Sequence, residues 1–209
     1  MNNFRDTRAA VLHLTRYIAG KTVDYGAGSA KYKNLISPHT SEYIAFDMVP
    51  GKNIDVVGDA LNPPFPDAHF DTVISTQMLE HVEKPWVVVQ HIKRILKPGG
   101  TCIVTAPFLV PFHAYPHDYF RYTEQGLRSL FLHEGFTIEE SGTYGNTPSV
   151  LTEMARLSHF YTYDQRLNKK EKWGDRFMQL VKKIAYRLDN TFQNDAIYSN
   201  TYLVARKEF

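Results

Sequence analysis

A short glycine-containing loop near the start of the chain has the composition of a ligand-binding turn. Gly26 and Gly28 stand in the run Val23-Asp24-Tyr25-Gly26-Ala27-Gly28-Ser29-Ala30, after an apolar stretch and before a segment of helical composition. Because glycine has no Cβ, a backbone built from it can turn sharply and lie against a ligand. Open parallel sheets bind their ligands at such strand-to-helix turns. The loop therefore predicts a cofactor site after the first strand.

Asp47 is the second part of this predicted site. It follows Gly28 by nineteen residues and stands at the end of the second apolar run, where its carboxylate can accept hydrogen bonds from ribose hydroxyls. A dinucleotide site would have a third glycine at position 31, and this chain has Lys31 there. An NAD-dependent oxidoreductase is therefore disfavoured. A turn aspartate with no ligand is the alternative interpretation of Asp47.

A second group of polar side chains follows the fifth apolar run, in a loop rich in proline and aromatic residues. Histidine has a pKa suited to removing a proton from a hydroxyl acceptor near neutral pH. We therefore predict His117 as the catalytic base, with His113 as the second choice. Asp118, Arg121 and Tyr122 are predicted to bind the acceptor. The alternative is that Asp118 pairs with Arg121 and the loop is only a structural lid.

The same histidines raise the question of a metal. His113, His117 and Asp118 are of ligand type, but Pro116 prevents one helix from presenting both histidines, and no further carboxylate cluster lies nearby in the sequence. No metal site is predicted. His81 is interpreted as a structural residue.

The elements that position these groups alternate between strands and helices. Such alternation predicts an α/β fold with a doubly wound, mostly parallel sheet covered on both faces. Strands are predicted at 22–25, 43–46, 54–57, 72–75, 101–105, 136–140 and 197–205, and helices at 7–19, 29–36, 86–96 and 123–133. The chain is predicted to be a single domain, 1–209, with an N-terminal helix in 1–20 and a helical insertion at 146–190 before the last strand.

Six motifs occur in an order that resembles a known enzyme family. They are 23–30, Ala45-Phe46-Asp47, Gly58-Asp59-Ala60, Phe65-Pro66-Asp67 with Phe70-Asp71, Leu79-Glu80-His81-Val82 and Leu96-Lys97-Pro98-Gly99-Gly100. Over about residues 20 to 140 the chain resembles the class I S-adenosylmethionine-dependent methyltransferases, in particular the type 11 (ubiquinone/menaquinone-biosynthesis-like) family. The resemblance implies a Rossmann-like sheet of seven strands whose last strand is antiparallel, and S-adenosyl-L-methionine as the cofactor.

The resemblance also assigns residues to parts of that cofactor. It implies that Asp24, Gly26 and Gly28 surround the methionine part, that Asp47 binds the ribose, and that Asp59 and Ala60 lie near the adenine. Tyr25, Met48 and Gln77 complete the predicted cofactor site, with Met78 beside Gln77. Ala30 departs from the family pattern, which usually has a third glycine there.

One tetrapeptide points to another substrate class. Asn62-Pro63-Pro64-Phe65 is the sequence with which amino-methyltransferases of DNA adenine or glutamine hold their target nitrogen. In those enzymes it ends the fourth strand, whereas here it precedes 70–75, which supplies that strand. We interpret it as a turn in which the prolines fix φ.

These observations predict O-methylation of a small hydroxylated acceptor, such as a sugar, a glycan precursor or another metabolite. The alternatives are an N-methyltransferase and a non-catalytic scaffold or binding protein with this fold. The net charge of +2 gives no reason to expect a nucleic-acid partner, and Cys102 is the only cysteine, so no internal disulfide can form. The first residues have no apolar leader and no apolar run is long enough to span a membrane, so a cytoplasmic location is predicted.

The insertion contains a basic amphipathic segment at 166–190. It holds eight basic and three acidic residues. Apolar residues at helical spacing predict either a stripe packed on the sheet, or docking on an anionic membrane surface or in a homodimer. The basic residues are Arg166, Lys169, Lys170, Lys172, Arg176, Lys182, Lys183 and Arg187, and the apolar ones Trp173, Phe177, Leu180, Val181, Ile184 and Leu188.

Overall fold

Seven strands pair into one mostly parallel sheet. The structure, a computed structural model, describes residues 4–113, 116–145, 147–160, 174, 176–177, 179–181, 183–184 and 196–208. The strands are β1 (Lys21–Tyr25), β2 (Glu42–Asp47), β3 (Val56–Val57), β4 (Phe70–Thr76), β5 (Leu96–Pro107), β6 (Phe136–Tyr144) and β7 (Asn200–Lys207), in the spatial order β3-β2-β1-β4-β5-β7-β6. Strand β7 runs antiparallel to both β5 and β6. The predicted fold is therefore confirmed.

The central strands are apolar because both of their faces are buried. Val73 packs in one hydrophobic cluster with helix residues such as Val88, whereas the next residue, Ile74, packs in a second cluster on the opposite face with Leu14. Successive side chains of a strand point to opposite faces, so consecutive apolar residues require cover on both sides. Cys102 is fully buried in the first cluster, as its apolar setting predicts.

Helices connect the strands, and the fourth of them has a capping residue at each end. They are α1 (Thr7–Leu14), α2 (Lys33–Ile36), α3 (Pro85–Ile95), α4 (Glu124–His133) and α5 (Thr147–Phe160). The Thr123 hydroxyl accepts a hydrogen bond from the Gly126 N–H at 3.0 Å and begins α4, and Gly135, at φ +71°, follows its end.

Two helices are shorter than predicted. Helix α1 stops at Leu14, and residues 15–17 continue as a 3-10 turn, whereas we predicted a helix to residue 19. Within α1, Leu12 is 57% exposed. Helix α2 starts at Lys33 and not at 29, because the preceding residues form turns in which Ala30 has φ +54°, a conformation that an α-helix does not contain.

The prediction at the end of α3 was also wrong in detail. Leu96, the last residue of the helix predicted at 86–96, instead begins β5, and the segment 97–100 belongs to an irregular part of that strand. The buried face of α3 comprises Val88, Val89, Ile92 and Ile95, while Trp86 is 46% exposed. The other strand bounds differ from the predicted ones by a few residues.

Most of the predicted basic helix lies outside the described residues. Those that are described between 174 and 184 are helical. Phe177, Leu180 and Ile184 are 63%, 55% and 51% exposed, which contradicts packing on the sheet for this part of the apolar stripe. No described helix is long and apolar enough to cross a membrane.

Candidate functional site

The loop after β1 is held against the end of β2 by hydrogen bonds. The N–H groups of Gly26 and Ala27 both donate to the carbonyl of Phe46, at 2.9 and 3.0 Å. The Gly28 N–H donates to Asp47 Oδ2 at 2.7 Å. Since β1 and β2 are parallel neighbours, their carboxyl ends meet at one edge of the sheet. The predicted loop and the predicted ribose ligand are thus brought together.

The two glycines of this loop are required for different reasons. At Gly26, with φ +79°, an added Cβ would lie 2.3 Å from Cγ of Met78, so packing against Met78 excludes any side chain at position 26. At Gly28, with φ +58°, an added Cβ would meet no atom of the described residues within 4 Å. The space over Gly28 is therefore open to a ligand. Ala30 also has a left-handed φ, which explains why glycine suits that position.

Two carboxylates lie near the carboxyl ends of the strands beside this loop, Asp24 in β1 and Asp47 in β2. Asp24 is buried, and its Oδ2 accepts a hydrogen bond from the Tyr43 hydroxyl at 2.7 Å, whereas its Oδ1 has no hydrogen-bond partner among the described residues. Burial raises the pKa of Asp24 to about 6, a shift that the negative charge of Asp47 increases and Lys31 opposes. An unpartnered buried carboxylate oxygen suits a cationic group.

Asp47 keeps acceptor capacity at the edge of the loop. Its Oδ1 accepts a hydrogen bond from the Val49 N–H at 2.9 Å, in addition to the bond of Oδ2 with Gly28. Each carboxylate oxygen has two lone pairs, so both can accept another donor. Anionic oxygens beside an open glycine loop fit S-adenosylmethionine, which carries an ammonium group, a sulfonium and two ribose hydroxyls.

The predicted adenine side is a turn after β3. Asp59 Oδ1 accepts a hydrogen bond from the Leu61 N–H at 2.8 Å, and the carbonyl of Ala60 accepts one from the Tyr25 hydroxyl at 2.7 Å. The Tyr25 ring is fully buried and packs on Phe46, with 4.8 Å between the ring centroids. Tyr25 therefore supports the turn from within the core.

Two further predicted cofactor residues lie at the ends of strands. Met48, after β2, is 65% exposed. Gln77, after β4, has φ +54°, and its side-chain amide donates to the Thr105 hydroxyl at 3.1 Å. A left-handed φ at a non-glycine residue stores strain that is common at ligand sites. The Asn62 N–H donates to the Asp59 carbonyl at 3.0 Å, and β4 begins only at Phe70, so the tetrapeptide 62–65 is a turn, as predicted.

The loop after β5 is folded around one ion pair. Both oxygens of Asp118 accept hydrogen bonds from the Arg121 guanidinium, at 2.5 and 2.6 Å, and Oδ2 also accepts one from the His113 N–H at 2.8 Å. Burial alone would raise the pKa of Asp118, but these hydrogen bonds outweigh it and hold the pKa at about 2. The Tyr122 hydroxyl donates to the carbonyl of Leu79 at 3.2 Å. The polar groups predicted to bind the acceptor are thus used to fold the loop.

This loop covers a buried carboxylate that was not among the predicted site residues. Glu80 lies in a 3-10 turn after β4, and its carbonyl accepts hydrogen bonds from the N–H groups of Tyr119 and Phe120. Its side chain is fully buried, and neither carboxylate oxygen has a hydrogen-bond partner among the described residues. Burial raises the pKa of Glu80 to about 8. The sequence could have indicated Glu80 through the run Leu79-Glu80-His81-Val82, which served above only as one of the motifs of the family resemblance.

Two histidine rings lie close to Glu80, whereas the ring of His117 does not take part in this contact. His81 Nε2 and His113 Nε2 lie 3.7 and 3.9 Å from Glu80 Oε1, and burial lowers the pKa of His81. His117 contributes its carbonyl, 2.6 Å from His81 Nδ1. The His117 ring is exposed beside Tyr119, with 5.4 Å between the ring centroids, and makes no hydrogen bond within the described part of the chain. Asp118 therefore does not orient the predicted base.

Comparison with known sequences agrees with the motifs. Residues 23–104 match the model of a family described as "Methyltransferase domain". A 27-O-demethylrifamycin SV methyltransferase of Amycolatopsis mediterranei is 40% identical over 53 residues, 25% of this chain and 20% of the relative. A demethylmenaquinone methyltransferase of Geobacillus is 38% identical over 77 residues, 35% of this chain and 33% of the relative. The matches thus span a third or less of these relatives.

Solved structures share the fold over nearly the whole chain. A methyltransferase-like protein of Bacillus halodurans superposes with a TM-score of 0.61 at 17% identity, covering 96% of this chain and 98% of that one. The cyclase SpnF gives 0.64 at 18% identity, covering 97% and 80%. Phosphoethanolamine N-methyltransferase 2 of Haemonchus contortus, solved with S-adenosyl-L-methionine, gives 0.58 at 16% identity, covering 97% and 52%.

Proposed function

We propose that the protein, whose residues 23–104 match the model of a methyltransferase-domain family, is an S-adenosylmethionine-dependent methyltransferase acting on an oxygen of a small hydroxylated acceptor. The observation that carries the proposal is the open space over Gly28, whose N–H donates to Asp47, together with the unpartnered Oδ1 of Asp24 in the preceding strand. When bound, S-adenosylmethionine supplies a methyl group attached to a cationic sulfur. The acceptor atom bonds to the methyl carbon in line with the sulfur, and the sulfur is the leaving group.

The residues of the loop bind and orient the cofactor. Asp24 would accept a hydrogen bond from its ammonium group, because Oδ1 is buried and free of partners among the described residues. Asp47 would accept hydrogen bonds from the ribose hydroxyls, and the turn at Asp59 and Ala60 would lie against the adenine. Alignment of this kind supplies much of the rate in a displacement reaction, since it removes the entropic cost of bringing two reactants together.

The acceptor side lies at the carboxyl ends of β4 and β5, next to the cofactor loop after β1 in the same sheet. The polar groups there are imidazoles and a buried carboxylate, which suit a hydroxyl better than an apolar carbon. We assign the proton-accepting role to His117, because its ring makes no hydrogen bond in the described part of the chain and is open to an incoming hydroxyl. Asp118 and Arg121 would hold the loop that carries it.

Two alternatives have specific observations in their favour. A fold neighbour is named as an N-methyltransferase, so an amine acceptor would suit the same architecture. Another is named as a cyclase, so the fold by itself does not require methyl transfer. The intact cofactor loop favours the methyltransferase over a scaffold protein.

The proposal is tested by incubating the full chain with methyl-labelled S-adenosylmethionine and pools of sugars, glycan precursors, other small hydroxylated metabolites and amines. Mass spectrometry then identifies the labelled product. Label on an oxygen of the acceptor is the expected result, and label on a nitrogen would support the N-methyltransferase alternative. Calorimetric binding of the cofactor without label transfer to any pool would favour the scaffold alternative, and the absence of binding would refute the function itself.

We further propose that the basic segment 166–190 docks on an anionic membrane surface. Three of its apolar side chains, Phe177, Leu180 and Ile184, are exposed. The segment carries a surplus of five positive charges, each of which contributes about 1 kcal/mol near anionic lipid. Such docking would suit a lipid-linked acceptor.

A further inference from the structure

A carboxylate and two imidazoles converge where the turn after β4 meets the loop after β5. Glu80, His81 and His113 each offer one potential ligand atom, and these three atoms lie within 4.8 Å of one another. Glu80 Oε1 is the carboxylate oxygen nearest to Nε2 of both His81 and His113. The separations of Glu80 Oε1 from the two nitrogens, 3.7 and 3.9 Å, are too long for direct hydrogen bonds. Three potential ligand atoms therefore face a common point without bonding to each other.

Both imidazoles are oriented through their other nitrogen. His81 Nδ1 lies 2.6 Å from the carbonyl oxygen of His117, and His113 Nδ1 lies 2.9 Å from that of Pro111. A carbonyl oxygen can only accept, so the proton lies on Nδ1 of His81. For His113 the same holds, because its Nδ1 lies closer to the Pro111 carbonyl, at 2.9 Å, than to the donor Nη2 of Arg121, at 3.4 Å. In the neutral rings Nε2 then presents its lone pair towards Glu80. Metal-binding histidines are held in this way by an outer hydrogen bond to a carbonyl or carboxylate.

Within the described part of the chain, no lysine or arginine forms an ion pair with Glu80. The Glu80 carboxylate is fully buried with both oxygens unpartnered among the described residues, and a buried carboxylate of this kind is costly unless a cation or a proton accompanies it. The guanidinium of Arg121 donates its hydrogen bonds to Asp118 and to backbone carbonyls of the loop. Lone pairs on Nε2 of both histidines would repel the same carboxylate.

We infer that Glu80, His81 and His113 form a binding site for a divalent transition metal, with zinc as the ion that the ligands suit best. Two imidazole nitrogens and one carboxylate, with a fourth position left open, form a known type of zinc site, whereas magnesium prefers oxygen ligands. Ligands in a tetrahedral zinc site stand roughly 3.3 Å apart, given bond lengths of about 2.0 to 2.1 Å. The two distances from Glu80 Oε1 to the histidine nitrogens, 3.7 and 3.9 Å, exceed this by about half an ångström.

The position in the fold gives the site two consequences. Glu80 follows β4 and His113 follows β5, so a bound metal would tie the loop after β5 to the turn after β4. The open coordination position would lie at the same edge of the sheet as the cofactor loop, where it could take water or an oxygen of the acceptor. The assignment of the acceptor to that position rests on the proposed function, whereas the metal site itself does not.

The site is tested by titrating zinc into the chelator-treated full chain, without cofactor, in a calorimeter. We expect one zinc ion per chain. Glu80→Gln and His113→Ala should each weaken zinc binding at least about 100-fold, because loss of an outer partner alone costs about 10- to 100-fold. Cobalt in place of zinc should give the visible absorption of a tetrahedral site. Circular dichroism establishes that the variants are folded.

Two histidine variants serve as controls. His117→Ala keeps the backbone carbonyl that orients His81 and should bind zinc as the wild type does. His39→Ala removes an exposed histidine before β2, at the opposite edge of the sheet, and should also leave binding unchanged. The inference is overturned if the wild type binds no zinc, if folded Glu80→Gln and His113→Ala bind it like the wild type, or if either control loses as much affinity as they do. None of these results depends on methyl transfer.

Discussion

Replacing Asp47 by alanine tests its role in cofactor binding, because the loss of cofactor affinity can be compared with the loss of folding stability. The carboxylate of Asp47 accepts hydrogen bonds from the N–H groups of Gly28 and Val49, at 2.7 and 2.9 Å. Both bonds lie at the exposed edge of the sheet, so water can replace the lost acceptor. We therefore expect the folded state to lose about 1 to 2 kcal/mol, which lowers the thermal midpoint by a few degrees in a chain of this size.

The loss of cofactor affinity should be larger than this structural effect. Hydrogen bonds from the ribose hydroxyls to a charged carboxylate contribute about 1 to 3 kcal/mol, which corresponds to a rise in Kd of about 5- to 150-fold. Calorimetric titration of wild type and variant with S-adenosylmethionine measures this difference. Asp67→Ala is the matched control, because Asp67 is a surface aspartate whose carboxylate pairs with Arg94. An Asp47→Ala protein that is folded and binds the cofactor within twofold of the wild type would refute the assignment.

Four further predictions follow from the described contacts. His117→Ala should lower turnover about 100-fold with little change in cofactor Kd, since a general base acts on the acceptor; a labelled-methyl assay that finds full turnover would exclude His117 as the base. Gly28→Ala should lower cofactor affinity at least about tenfold at the cost of about 1 kcal/mol of stability, because its methyl group would enter the space over the loop; unchanged affinity would mean that the ligand does not approach there. Because burial raises the pKa of Asp24 from 3.8 to about 6, the stability from this group is present below about pH 4 and is lost as the pH rises through 6. The free energy of unfolding of Asp24→Asn, measured in urea, should therefore rise relative to that of the wild type by about 2 to 3 kcal/mol between pH 4 and 7. A difference between the two proteins that stays constant with pH would contradict a buried, ionising Asp24. Finally, the protein should sediment with anionic vesicles at low salt and less at high salt, and Phe177→Ser with Leu180→Ser should reduce this binding; no sedimentation at low salt would eliminate membrane docking and leave a homodimer contact as the alternative.

The strands and the cofactor loop could be predicted because their signals are local. Apolar runs between turn residues predict buried parallel strands, and glycines after the first strand predict the ligand-binding turn. Helix limits were less predictable, because they depend on competing elements. Leu96 satisfies the helical spacing of α3, yet it pairs with Phe70 as the first residue of β5. Pairing between strands is a long-range property that the periodicity of a single segment does not contain.

The carboxylate under the loop illustrates the same limit within the candidate site. Glu80 and His81 are adjacent in the sequence, but His113 follows more than thirty residues later, and only the parallel neighbours β4 and β5 bring the two segments together. Asp118 is the carboxylate nearest to the loop histidines in the sequence, but its charge is neutralised by Arg121. Glu80 has no such partner among the described residues and is fully buried. A candidate ligand therefore differs from a structural carboxylate here in its hydrogen-bond partners. Those partners are set by the folding of the loop over the turn, and the sequence alone does not give them.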